Sequence, residues 1–139
     1  MIQQWYKTNP ANPNLGLAAV RIGVALIILM HPLHGYTHIE NIPHFGEFLT
    51  SLGYPFGLAL AWMVLLIQTA SSLALLANRF VVPACLGHII IICFGQIHVH
   101  AQYGWYVVGP GNGGLEWGFI LLSSLIGVLL AYWPARRKN

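Results

Sequence analysis

The stretch Tyr54–Val99 reads YPFGLALAWMVLLIQTASSLALLANRFVVPACLGHIIIICFGQIHV, and its only Lys, Arg, Asp or Glu is Arg79. Asn78-Arg79-Phe80 divides it into two continuous apolar runs, 54–77 and 81–99. Each comes close to the ~20 residues a helix needs to cross ~30 Å of hydrocarbon. Neither alternates polar with apolar, and each is about twice the length of a barrel strand. Two such helices joined by a short turn run antiparallel. Outward from this pair, 15–36 and 115–133 read the same way. The predicted fold is all-α: a four-transmembrane-helix antiparallel bundle forming a single membrane domain over residues 1–139.

Composition agrees. Of the 139 residues, 57% are hydrophobic and only 6% charged, with a mean hydropathy of +0.67. A soluble domain carries about 25% charged residues. Three acids and six bases do not solvate a globule of this size, so the bilayer is the expected partner. The pI near 9.1 does not indicate nucleic acid, because the bases form no patch. The first run is too long for the apolar region of a signal peptide. It also contains Arg21 and is followed by His31-Pro32 rather than a small-residue cleavage site, so it is expected to be retained.

The bases set an orientation. Lys7 precedes the first span, Arg21 lies in its opening turns, Arg79 sits between spans two and three, and Arg136, Arg137 and Lys138 follow span four. The connections 37–53 and 100–114 hold no Lys or Arg. The positive-inside rule then places both termini in the cytoplasm, consistent with a multi-pass protein of the inner (plasma) membrane. Tyr54, Tyr103, Trp105, Tyr106 and Trp117 mark the outer boundary, and Tyr132 and Trp133 the inner one. Cys85 and Cys93, eight residues apart on one helix, would lie about 12 Å apart along its axis, too far for a disulfide.

Polar groups within spans are costly and need a partner or a task. The outer set is His31, His34, His38, His98, His100 and Glu116. The first three follow i, i+3, i+7 spacing and share a face if the helix continues through Pro32, which could instead kink it. Imidazoles and a carboxylate at one mouth suit a quinone head group, a haem, a transition metal (through His34, His98 and Glu116) or a proton relay. Singly, each has a blander reading: an interfacial histidine, or an acid favoured by the dipole in a helix's first turn. The inner set is Arg21, Gln68 and His88, each roughly 9–14 Å deep at 1.5 Å per residue. It reads as an interhelical hydrogen-bonded knot, with Arg21 reaching Gln68, His88, a backbone carbonyl or the interface. Gly53 and Gly57 form a GxxxG pair suited to close packing.

These residues resemble the DoxX-like membrane proteins. The resemblance is carried by Arg21-Ile22-Gly23, His34-Gly35, Phe48-Leu49, Leu52-Gly53-Tyr54-Pro55, and His98 with Gly104–Trp117 leading into the last helix. It extends over most of 15–133. It implies a four-helix membrane protein of a family some of whose members are associated with quinone-linked respiratory or thiosulfate-oxidising complexes or with redox-stress assemblies, and many of whose members have no assigned activity. It also implies an acid in span two, where this chain has Gln68; that departure weakens a proton-relay role for the inner set. Two functions compete on the sequence alone. One is a redox-associated respiratory-chain subunit binding quinone, metal or haem at the outer face. The other is a non-catalytic accessory subunit packing against a larger membrane complex or its own copies. Solute or proton transport is weaker, as four helices show no inverted repeat.

Overall fold

A computed structural model describes residues 12–108 and 113–134. Lys7, Arg136, Arg137, Lys138 and part of the 109–114 glycine stretch lie outside the described residues. Within them the fold is all-helical. It comprises α1 (Pro13–Thr37), α2 (Ile42–Ser51), α3 (Gly57–Leu76), α4 (Val81–Gly95) and α5 (Glu116–Tyr132). A π-helical turn, Gln96–His100, and a 3₁₀ turn, Ala101–Tyr103, extend α4.

Three helical segments, Pro13–Thr37, Gly57–Leu76 and Val81–Tyr103, are long and apolar enough to cross a membrane. The α5 helix is as apolar but has 17 residues. The α1 helix runs unbroken through Pro32. That settles the register of His31 and His34, while His38 follows the helix end at φ −132°; the missing proline N–H leaves the Ile28 carbonyl without its usual donor.

Helix α1 packs on α3 and α5, α3 on α4, and α4 on α5, so the four long helices close a ring of contacts. Val24, Ala25 and Ile28 from α1 meet Leu75 from α3, Val81, Ala84 and Cys85 from α4, and Leu125 and Val128 from α5. The opposite faces are apolar and exposed, with Ile27, Leu66, Ile90, Phe94, Phe119 and Leu130 pointing outward. Apolar residues on both faces of a helix identify lipid as the solvent of the outer one. Cys85 and Cys93 are free thiols.

The segment 37–53, read from the sequence as a connection, instead folds largely into α2. Ile42, Phe45, Gly46 and Leu49 turn one face onto Ala61 and Leu65 of α3. His44 and Glu47 face away, 3.6 Å apart and exposed. Helix α2 stops where Tyr54 N–H bonds the Leu49 carbonyl at 3.2 Å across Gly53, whose φ is +89°. The Gly53–Gly57 pair is therefore split between two tasks. Gly53 makes the turn, while Gly57 meets Gly46 of α2: a Cβ on Gly46 would lie 2.8 Å from Leu58 Cα.

The α3–α4 turn places Asn78 and Phe80 at φ +54° and +51°. The Phe80 side chain is 79% exposed, so it holds this left-handed backbone with little packing in return. Phe80→Gly is expected to stabilise the fold by about 1 kcal/mol, the left-handed penalty of an L-residue, read as a higher Tm in detergent. At the same end Tyr132 OH donates to Asn78 Oδ1 at 2.7 Å, tying α5 to the turn. The start of α1, the α3–α4 turn and the end of α5 thus form one end of the molecule, here the basic end; the other is the histidine end.

Candidate functional site at the histidine end

Each outer residue is positioned by its own element. His34 and His38 stack at the end of α1 with ring centroids 4.2 Å apart. His38 Nδ1 lies 3.1 Å from the His34 carbonyl, so His38 caps the helix that carries it. His31 lies one turn before His34 on the same face of α1, and His100 of the α4 extension lies near it. The structure therefore brings His31, His34 and His100 toward one another from α1 and the extension of α4.

His98 faces a different group. Its Nε2 shares a 2.9 Å hydrogen bond with the Tyr54 hydroxyl. Tyr54, Phe94 and His98 form an aromatic triangle with centroid separations of 5.7 to 5.9 Å. The π-helical turn sets this register. Its extra residue per turn shifts His98 and His100 relative to a continuous α-helix, and such bulges occur often at functional sites. Phe94 is 48% exposed on the outer face of α4, so one side of the triangle opens toward lipid.

The third group is a loop clasp. Leu115 N–H bonds the Gly104 carbonyl at 3.1 Å and Glu116 N–H bonds the Trp105 carbonyl at 3.2 Å. Glu116 returns a carboxylate oxygen to the Val107 N–H at 3.0 Å. His100 Nδ1 donates to the Gly113 carbonyl. Glu116 and His100 therefore pin the segment linking α4 to α5. His34, His98 and Glu116 each have separate partners. Among the described residues no three His, Cys, Asp or Glu side chains are grouped to hold a metal ion.

The inner set is buried at 5% (Arg21), 4% (Gln68) and 0% (His88) exposure. Arg21 Nη1 donates to the Leu75 carbonyl of α3. His88 Nε2 pairs with Ser72 Oγ at 3.3 Å. The three residues do not bond one another directly.

With this geometry in hand, comparison with known proteins is decisive on one point: the sequence model described as DoxX matches residues 16–101. The chain belongs to the DoxX family. No curated protein and no solved structure matches it.

The DoxX match runs from the start of α1 through the π-helical turn. It includes Arg21, Tyr54, Gln68, His88, His98 and His100, while Glu116 lies beyond it. With its long apolar helices, the chain is an integral membrane protein of this family. Sequence reasoning missed Tyr54 as the partner of His98, Phe94 as the third wall, and Ser72 as the partner of His88. Tyr54 looks like an ordinary interfacial aromatic, and only the fold of α2 and the π-helical turn carry it to His98. Ser72 was accessible from spacing, since Ala61, Leu65, Gln68, Ser72 and Leu75 form a helical stripe.

Proposed function

We propose that this DoxX-family protein is a four-span subunit of the inner (plasma) membrane with both termini cytoplasmic. In this reading it binds a quinone head group at its outer end and exchanges electrons through a redox partner subunit. Charge placement supports the orientation: Arg21 and Arg79 lie at the basic end, and Glu40, Glu47 and Glu116 at the other. At 1.5 Å per residue, α5 with Leu115 and Trp133 spans about 28 Å, close to the hydrocarbon thickness.

The observation that carries the proposal is the Tyr54–His98 hydrogen bond beside lipid-exposed Phe94. A metal needs several convergent ligands. A quinone needs one or two donors for its carbonyl oxygens, a flat apolar wall, and access from the bilayer for its tail. Because Tyr54 and His98 bond each other, the neutral pair keeps one donor free, the Tyr54 hydroxyl or His98 Nδ1–H according to the tautomer, and Phe94 supplies the wall. His31, His34 and His100 lie at the same end of the molecule, and Glu116 holds the loop there.

The test is binding of a quinone analogue to the purified protein in nanodiscs. His98→Ala and Tyr54→Phe are each expected to weaken binding about tenfold, the worth of one polar contact of about 1.4 kcal/mol. His44→Ala, on the far face of α2, should leave it unchanged. Equal binding by wild type and both site variants overturns the proposal and leaves the accessory-subunit reading.

A further inference from the structure

The inward stripe of α3 turns polar at Gln68 and Ser72 before ending at Leu75. These residues are four and three apart, so they are neighbours on one face and span about 10 Å of the axis. Helix α1 brings Arg21 to the Leu75 carbonyl, and α4 brings His88 to Ser72. One polar atom from each helix is then left buried without a partner: Arg21 Nε, Gln68 Oε1 and His88 Nδ1. Their side chains are all more than nine-tenths buried.

The chemistry of the three atoms selects an occupant. Arg21 Nε–H only donates, Gln68 Oε1 only accepts, and an imidazole nitrogen does either according to its tautomer. An anion at Arg21 leaves the Gln68 oxygen unpaired. A cation at Gln68 leaves Arg21 Nε–H unpaired. Hydrocarbon satisfies neither, and a buried polar group without a partner is costly. Water donates and accepts, and buried water characteristically joins such groups.

We propose that Arg21, Gln68, Ser72 and His88 line a buried hydration site within the ring of helices. Ordered waters spread along this ~10 Å of α3, rather than one molecule, take up Arg21 Nε–H, His88 Nδ1 and Gln68 Oε1. They add to the direct contacts that Arg21 makes with the Leu75 carbonyl and His88 with Ser72, and they do so independently of any ligand at the histidine end.

Gln68→Leu gives a test by sign. In a dry interior the substitution removes an unsatisfied acceptor and raises Tm. In a hydrated site it strands the water and its other partners, and Tm falls by several degrees. The direct measurement uses wild-type protein in bilayers with ¹⁵N-labelled histidine, following magnetisation transfer from water to each ring; the His88 signal is the one lost in His88→Phe. Water contact at His88 together with a lowered Tm for Gln68→Leu is the expected result. A higher Tm, or a His88 ring without water transfer, overturns the proposal. So does stabilisation that rises with chloride concentration and disappears in Arg21→Gln, which would identify an anion instead. If Gln68→Leu fails to fold, the wild-type measurement decides.

Discussion

Gly57→Ala is expected to cost about 3 kcal/mol, at the upper end of what overpacking usually costs, and to release α2 from α3. The added methyl would sit well inside contact distance of the Gly46 carbonyl and the Thr50 hydroxyl. The first of these is backbone, held within α2, so no rotamer change relieves it. Thr50 is also committed, since its hydroxyl donates to that same Gly46 carbonyl at 3.0 Å. The whole of α2 would have to lift, exposing Ile42 and undoing the satellite core it makes with Ala61 and Leu65.

Thermal unfolding in detergent reads the loss, and protease sensitivity within 42–51 reads the detachment. The matched control is Gly23→Ala. Gly23 lies in the interior of α1, and an added methyl there would have nothing within 4 Å. Helix propensity should therefore make that change neutral to stabilising by up to about 1 kcal/mol. If Gly57→Ala is as mild as Gly23→Ala, the close crossing of α2 and α3 is wrong.

This crossing also shows where the sequence stopped being informative. The long helices were legible because membrane thickness imposes a length and lipid imposes a composition, and both are properties of single segments. The α2 helix has neither signature. It is short, and its apolar face is defined only by α3 lying beneath it. The GxxxG reading held for Gly57 alone for the same reason: Gly53 and Gly57 share a spacing, yet a turn at Gly53 begins before the helix that Gly57 opens.

The polar sites divide along the same line. Sequence spacing put His31, His34 and His38 on one face, and the unbroken α1 agrees for His31 and His34, while His38 lies past its end and stacks on His34. Which histidine meets which partner depended on the π-helical turn, which inserts a residue into the register without a sequence mark. His98 consequently meets Tyr54, and His100 meets the returning loop. Arg21 was recognisable as needing a partner, because a cation in a span is expensive wherever it sits. That the partner is the Leu75 carbonyl follows from how α1 and α3 are aligned, which no single segment encodes.

Arg21→Ala is expected to destabilise the protein by about 3 kcal/mol. Two losses add. The guanidinium makes a charge-assisted bond to Leu75 O, worth roughly 1.5–3 kcal/mol. That carbonyl lies in the last turn of α3, where backbone acceptors lack intrahelical donors and the helix dipole favours a cation. Asn78 N–H also reaches it, at 3.2 Å, so the carbonyl is not wholly stranded and the cost stays below that of an orphaned acceptor. The second loss is volume, because truncation leaves a void beside Val24, Ala25 and Leu75.

Against both stands a gain, since a buried charge no longer has to be desolvated. Arg21→Met separates these terms. It restores most of the volume and removes the charge, so it should cost about half as much as Arg21→Ala. Tm measurements on the two variants, in one detergent and at one pH, supply the comparison. Equal losses would assign the whole effect to the hydrogen bond at the end of α3. A stable Arg21→Met would instead show that the arginine is kept at a cost to stability, as expected of a residue retained for orientation or for the polar interior it helps to line.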